Sequence, residues 1–187
     1  MKKRIVIAVV LAVLLAALAY AQTTDFFALV KTGMPQDVQA AIDKGADVNA
    51  RDTTRDFTPL MYAASFNPNP DVITVLLKAG ADIKARSNSG TTALMAAAGD
   101  QSPEVITVLL KAGSDINAHN GAGATALMYA AGVNQNPEVI MMLLKAGADA
   151  KAKDSIGQTA FDYAQDNANH AQLKDTDALK QLEEASK

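Results

Sequence analysis

The chain has 187 residues, with 17 lysines and arginines, 20 aspartates and glutamates, two histidines and no cysteine, for a net charge of −3 at pH 7. The acidic balance excludes a generally basic nucleic-acid binder, because neutralising phosphates needs clustered lysine and arginine. The lack of cysteine excludes disulfide scaffolds and zinc–thiolate sites, and a hydrophobic content of 49% is too high for a disordered chain.

The first 21 residues have the pattern of a secretory signal peptide. A basic head at residues 2–4 is followed by an uncharged apolar run at residues 5–18, and Ala19 and Ala21 place small residues at the cleavage positions. We expect cleavage after Ala21, which leaves 22–187 as the mature domain. A signal this short on a cysteine-free chain is typical of bacteria, and the expected destination is the periplasm.

A retained membrane anchor is the alternative interpretation of this segment. Residues 5–21 provide 17 apolar positions, which is the lower edge of the length that crosses a hydrocarbon core of about 30 Å. The protein would then stay in the inner membrane and face the periplasm. Cleavage would instead remove three basic residues and no acidic one, leaving 14 basic and 20 acidic side chains and a net charge of −6.

Two short patterns recur in register along the rest of the chain. The first opens with a threonine and has spacings of 34, 33 and 34 residues, at Thr58, Thr92, Thr125 and Thr159. The second is a glycine two residues before an aspartate, at Gly45, Gly80, Gly113 and Gly147. Residues 72–80 are identical to residues 105–113. Two patterns that agree over four copies establish a repeat with a period near 33.

Each unit predicts two helices and a hairpin-like loop. The threonine begins the first helix, because its hydroxyl can accept a hydrogen bond from an otherwise unpaired N–H group. The second helix begins with a cap, a proline and an acid, as at residues 69–71, which suits the positive end of the helix dipole. Apolar residues then follow at helical spacing from Val72 to Ala79, and Gly80 is expected to end the helix in a left-handed conformation.

This unit resembles the ankyrin repeat. The period, the threonine–x–leucine opening, the paired alanines and the Gly-Ala-Asp ending with its asparagine (Asn49, Asn117) are similar to that family. The resemblance implies an all-α ankyrin-repeat solenoid of stacked helix-turn-helix units with hairpin-like loops. A polar second helix in the last unit suits the exposed end of such a stack. The expected units are 24–57, 58–91, 92–124, 125–158 and a C-terminal cap at 159–187.

The chain departs from the family pattern in two places. Methionine replaces the family's histidine at Met61, Met95 and Met128; since methionine fills space but lacks the hydrogen bonds of histidine, we expect core packing there. The first loop, residues 51–57, is one residue longer than the others and lacks the turn glycine that they have. We expect this loop to be irregular.

No catalytic constellation is visible, and we expect a protein that is not an enzyme and binds no cofactor or metal. His119 and His170 lie in different units, and the common hydrolase, zinc-peptidase and phosphate-loop patterns do not occur. Aspartate–asparagine pairs such as Asp47 and Asn49 could suggest calcium. Their recurrence at the base of the loops favours turn hydrogen bonds instead.

The resemblance implies binding of a protein partner on a concave face, which loop tips and the exposed ends of the first helices form together. The candidate loop residues are Arg51, Asp52, Arg55, Arg86, Asn88, His119, Asn120, Lys153 and Asp154. The candidate helix-end residues are Ser65, Phe66, Asp100 and Val133. Among these, Phe66 and Val133 are the expected apolar anchors.

One basic residue stands near the tip of each loop, at Arg51, Arg86, His119 and Lys153. Two interpretations stay open: a groove for an acidic partner surface, or solvated positions that belong to the family's own loop pattern. The expected partner is a protein and not a nucleic acid. Membrane contact is expected only if the signal segment is retained, and we expect a monomer.

Overall fold

A computed structural model describes residues 26–100, 103–133, 136–166, 173–174 and 176–187. The predicted signal peptide and His170 lie outside these residues. Within the described ranges the regular structure is helical, and extended pairing is limited to one isolated antiparallel bridge between His119 and Thr125.

The helices alternate with the loops that the repeat predicts. They are α1 (26–32), α2 (Pro35–Asp43), α3 (Pro59–Phe66), α4 (Pro70–Lys78), α5 (Ala93–Asp100), α6 (Pro103–Lys111), α7 (Ala126–Gly132), α8 (Pro137–Lys145), α9 (Ala160–Asp166) and α10 (Asp177–Ser186).

The helices stack in two layers. In the inner layer α3, α5, α7 and α9 pack side by side in chain order, and in the outer layer α2, α4, α6, α8 and α10 do the same. Each inner helix from α3 to α7 also packs against the outer helix that follows it. This arrangement is the all-α solenoid predicted from the repeat.

The predicted helix ends are confirmed. The Thr58 hydroxyl accepts a hydrogen bond from the Met61 N–H at 3.3 Å, and the Asn69 side chain accepts one from the Asp71 N–H at 2.9 Å. These bonds satisfy N–H groups that the first turn of a helix leaves unpaired. At the other ends the backbone is left-handed, with φ of +91° at Gly80 and +94° at Gly147.

The core lies between the two layers. The inner helices α3, α5 and α7 each bury an adjacent leucine and methionine, and Met61, Met95 and Met128 are fully buried. The prediction that these methionines fill the core is therefore confirmed. Pairs of fully buried alanines, such as Ala97 and Ala98, let neighbouring inner helices approach closely.

Candidate functional site

The hairpin loops form one continuous surface beside the inner helices. These finger loops are residues 51–57, 86–91, 119–124 and 153–158. Backbone hydrogen bonds join each finger loop to the next: Asn88 N–H to Arg55 O at 3.1 Å, Gly121 N–H to Ser89 O at 2.8 Å, and Ser155 N–H to Ala122 O at 2.9 Å. We call this row of loops and the adjoining side of the inner helices the concave face, the term that the resemblance to ankyrin repeats supplies.

Three of the predicted partner-binding residues hold the finger loops together. The Asp52 carboxylate accepts hydrogen bonds from the N–H groups of Thr54, Arg55 and Asp56 and from the hydroxyl of Tyr62. In the fourth finger loop, the Asp154 carboxylate accepts hydrogen bonds from two backbone N–H groups and from the Tyr163 hydroxyl, the last at 2.8 Å.

Asn120 does the same in the third finger loop. Its side-chain oxygen accepts hydrogen bonds from the N–H groups of Ala122 and Ala124. Its side-chain NH₂ group donates a hydrogen bond to the Tyr129 hydroxyl at 3.0 Å. Asp52, Asn120 and Asp154 are therefore structural residues that also lie on the candidate face. We call each of these residues with its tyrosine a loop–helix pin.

The tyrosines of the pins are not among the residues predicted from the sequence. A signal exists, because Tyr62, Tyr129 and Tyr163 each lie four residues after a helix-capping threonine. The second finger loop has Ser87 instead of an aspartate or asparagine, and that unit has Ala96 in place of tyrosine. The unit that lacks the acceptor of a pin thus also lacks its tyrosine.

The two pins that contain an aspartate shift the pKa values of both partners. Burial by itself would raise the pKa of Asp52, but hydrogen bonds from Tyr62 and from backbone N–H groups outweigh burial and lower this pKa to about 2. Burial and the hydrogen bond to Asp52 raise the pKa of Tyr62 to about 12. At neutral pH the Asp52 carboxylate is therefore ionised and accepts a hydrogen bond from the protonated Tyr62 hydroxyl.

Two of the predicted basic residues link neighbouring finger loops. Arg51 donates a hydrogen bond to the Arg86 carbonyl at 2.9 Å and forms an ion pair with Asp56, and Arg86 donates to the His119 carbonyl. His119 and Lys153 are exposed. Arg51 and Arg86 thus have a role that neither interpretation of the sequence included, since their guanidinium groups form hydrogen bonds to the next finger loop.

The structure exposes both predicted apolar anchors and buries one predicted surface residue. The exposed fraction is 50% for Phe66 and 51% for Val133. Ser65 is only 8% exposed, and its hydroxyl donates to the Met61 carbonyl one turn earlier in the same helix. The placement of Ser65 on the open face is therefore wrong, because the side chain lies against its own helix. The Asp100 side chain lies outside the described part of the chain.

The remaining two candidates lie at the tips of the first two finger loops. Arg55 is exposed, and its guanidinium lies 5.9 Å from the centre of the Phe57 ring. Asn88 is exposed as well, while its backbone N–H is bonded to the first finger loop. Both side chains are therefore accessible to solvent.

Four aromatic rings cluster at the amino-terminal end of the concave face. The centre of the Tyr62 ring lies 5.4 Å from that of Phe27, 5.5 Å from Phe57 and 6.3 Å from Phe66. We call Phe27, Phe57, Tyr62 and Phe66 the aromatic patch. Lys31 covers it, with its ammonium 4.3 Å from the Tyr62 ring centre and 5.6 Å from that of Phe66. Phe27 and Lys31 are not among the residues predicted from the sequence, because the first unit is shortened and its first helix lacks the threonine opening.

The first finger loop is a hairpin despite its extra residue. The Asp52 N–H bonds to the Phe57 carbonyl at 3.0 Å, which matches the closing bonds of the other loops. Asp56 takes the place of the turn glycine and has φ of +60°, a conformation that is rare for a residue with a side chain. The irregularity of this loop thus consists of its extra residue and the left-handed backbone conformation of Asp56.

The described residues contain no group of three or more histidine, cysteine, aspartate or glutamate side chains placed to hold a metal. One surface cavity lies on α1 and α2 and another between α8 and α10, and neither is lined by a candidate residue. Among the described helices none is both long and apolar enough to cross a membrane.

Comparison with known proteins identifies the family. Models of ankyrin repeats match residues 26–120 and residues 109–164. The chain is 37% identical over 62 residues to Ankyrin repeat and SAM domain-containing protein 6 of Rattus norvegicus, and 46% identical over 50 residues to the ankyrin repeat protein FPV233 of Fowlpox virus (strain NVSL). These matches cover 33% and 27% of this chain but 7% and 10% of the two relatives. One family model alone spans half of the chain, and the helix pairs and finger loops agree with it, so the chain belongs to the ankyrin-repeat family.

Proposed function

We propose that this protein is a non-catalytic, exported binding module that presents the concave face of its finger loops and inner helices to a protein partner. Ankyrin repeats typically mediate protein–protein binding. The observation that carries the proposal is the exposure of Phe66 and Val133 on this face, since half-exposed apolar side chains at a helix end are suited to act as anchors in an interface.

The organisation of the face favours binding without large rearrangement. Backbone bonds connect the finger loops in series, and the pins hold Asp52, Asn120 and Asp154 against the inner helices. A surface whose loops are already ordered loses less conformational entropy when a partner docks, and more of the contact energy then contributes to affinity.

Site-specific photocrosslinking tests the use of this face. We would place a photoreactive phenylalanine at Phe66, at Val133, or at exposed Lys111 on the outer layer. Adducts formed in the expressing cell are then identified by mass spectrometry. We expect one shared protein adduct from the two concave positions and none from position 111. Equal adducts from all three positions, or none from 66 and 133, would contradict the proposal.

Export to the periplasm is supported by the sequence of the first 21 residues, with their basic head, apolar run and small residues at the cleavage positions. The second candidate is an inner-membrane tether with the repeats facing the periplasm, because residues 5–21 provide 17 apolar positions, the lower edge of the length that crosses a hydrocarbon core.

Cell fractionation with intact-mass measurement separates these two candidates in a Gram-negative host. A periplasmic protein whose mass begins at Gln22 would support cleavage after Ala21. A full-length mass in the membrane fraction would support the tethered scaffold instead. A full-length protein in the cytoplasm would contradict both forms of export.

A further inference from the structure

We propose that the aromatic patch, together with Lys31 and Arg55, binds a partner segment in which a large apolar side chain adjoins one or more carboxylates. This inference rests on the proposed function, because it places partner chemistry on the amino-terminal end of the concave face. Its starting point is an exposed ring, Phe66, that stacks against Tyr62 with an interplanar angle of 26°.

The patch can accept an apolar side chain. Phe66 is half exposed, and the other three rings are partly buried. The four rings therefore form an apolar surface that is still accessible to solvent. The Tyr62 hydroxyl donates its hydrogen bond to Asp52 in the first finger loop. A partner side chain that covers these rings would bury apolar surface at small entropic cost, since the rings already pack against one another.

The charges around the patch select for an acidic neighbour. The segments 26–32, 51–57, 59–66 and 86–92 hold four basic and two acidic residues, against a chain with a net charge of −3. Both acids are engaged, because Asp56 pairs with Arg51 and Asp52 accepts the hydrogen bonds of its pin. This region therefore has a local surplus of positive charge.

Lys31 and Arg55 carry that surplus. Within the described part of the chain neither forms a salt bridge, and both lie beside rings of the patch. Because these two cations already occupy positions beside the rings, a cationic partner would meet repulsion there. A carboxylate would instead gain an ion pair at the edge of an apolar contact, where water is partly excluded.

A nucleic acid fits the patch less well, although aromatic rings can stack on bases. Binding of single strands needs a positively charged groove that follows the backbone. Here the surplus is confined to one end of an acidic chain, and Arg51 and Arg86 use guanidinium N–H groups on loop carbonyls. The observations thus favour an acidic and apolar protein segment.

Peptide selection tests the inference directly, because it requires no identified partner. A random heptapeptide library displayed on phage is panned against the full chain, and enriched peptides are synthesised and titrated by fluorescence anisotropy. We expect the enriched peptides to share leucine, isoleucine, phenylalanine or methionine next to aspartate or glutamate. Enrichment of basic peptides, or no enrichment, would overturn the inference, as would comparable binding of an oligothymidylate probe.

Matched variants tie the binding to the patch. We expect Lys31→Glu and Phe66→Ser each to weaken binding of the selected peptides by about tenfold or more. Lys111→Glu and Lys145→Glu make the same charge change at exposed positions on the outer layer, away from the patch and the finger loops. Both controls should stay within about twofold of the parent chain, because electrostatic and apolar contacts act at short range. Thermal unfolding of each variant checks that the fold is retained.

The outcomes separate this inference from the proposed function. If Lys31→Glu and Phe66→Ser leave peptide binding unchanged while position 133 still crosslinks to a protein partner, the patch inference fails and the binding module stands. If controls and patch variants lose binding equally, the inference also fails, since the effect is then not local. If neither crosslinks nor peptides are found, both proposals fail.

Discussion

Asp52, Asn120 and Asp154 occupy the same position in three finger loops, and each ties a loop to a tyrosine of the inner helix. The chain therefore contains its own comparison between a charged and a neutral pin. An amide oxygen accepts the same backbone N–H groups as a carboxylate, but hydrogen bonds to an ionised acceptor are stronger. The charge of Asp52 accordingly contributes stability that Asn120 lacks.

Asp52→Asn should destabilise the fold in a manner that depends on pH. The folded-state pKa of Asp52 is lowered from 3.8 to about 2, so its charge contributes stability that is fully present above pH 3.8 and is lost as the pH falls through about 2. At pH 7 we expect a cost on the order of 1–2 kcal/mol after allowance for solvent screening. Urea unfolding of both chains at pH 7 and at lower pH measures the difference.

The reciprocal change is the control. Asn120→Asp should add a charged acceptor in the third finger loop and raise the free energy of unfolding at pH 7, with the gain lost on acidification. A cost of Asp52→Asn that is the same at every pH would show that the carboxylate charge is not what stabilises the pin.

At the scale of the element, the finger loop is a tight hairpin whose turn residue must be left-handed. Gly123 has φ of +80° and Gly157 has φ of +85°. A Cβ atom at Gly123 would lie 2.9 Å from both Asp154 Cα and Ser155 N of the next loop, whereas at Gly157 it would meet nothing within 4 Å. One glycine is thus required for backbone conformation alone, and the other also for contact between loops.

Alanine substitution separates these two requirements. Gly157→Ala should cost about 1–2 kcal/mol, the penalty of a left-handed conformation with a Cβ atom. Gly123→Ala should cost this amount plus roughly 1–3 kcal/mol for the collision with the neighbouring backbone. Chemical unfolding of the two variants measures both values. Equal costs would mean that the loops can separate freely, which would contradict the rigid concave face.

At the scale of the whole molecule, stability depends on bonds between successive units, since the described helices of each unit pack chiefly against those of the adjacent units. Two asparagines supply such bonds at the base of the loops. The Asn49 side chain accepts a hydrogen bond from the Asp82 N–H at 2.8 Å and donates one to the Gly80 carbonyl at 3.0 Å. Asn117 accepts the Asp149 N–H at 2.8 Å. The same position in the unit between them is Lys84, whose side chain has no acceptor.

Lys84→Asn should complete this series and stabilise the array. The turn at this position already has the required form, because the Lys84 N–H bonds to the Asp82 carboxylate at 2.8 Å, as the Asn49 N–H bonds to Asp47 at 2.9 Å. We expect the free energy of unfolding to rise by about 0.5–1.5 kcal/mol, the usual net value of a hydrogen bond. Urea unfolding at neutral pH measures the change.

Lys151→Asn is the matched control, because it makes the same change of charge at the equivalent position of the unit 125–158. Residues 152–187 contain no Gly-x-Asp ending to receive such a bond, so we expect no comparable gain. Similar gains from both variants would assign the effect to charge rather than to a bond between units.

Sequence patterns predicted the helices well because their ends depend on neighbours in the chain. Thr58 and Asn69 cap helices through N–H groups two or three residues away, and Gly80 ends a helix through its own backbone freedom. The buried methionines were predicted for a similar reason, since the helical period assigns Met61 and its equivalents to the inner side of each unit.

The candidate face was predicted less completely because its contacts join residues that are distant in the chain. Whether Arg51 is a free cation or a link to the Arg86 carbonyl depends on how one unit is placed on the next. The burial of Ser65 depends on its rotamer within a packed helix, and the meeting of Lys31 with Tyr62 and Phe66 depends on α1 packing beside α3.

By itself the sequence determined the repeat, its helices with their caps and glycine ends, and the buried and exposed sides of the helices. Those features follow from short-range hydrogen bonding and from the period of the apolar residues. Only the tertiary structure decided which loop residues are structural, which cations are engaged, and where the aromatic rings gather. Stacking sets these outcomes, because each depends on atoms that the solenoid brings together from different units.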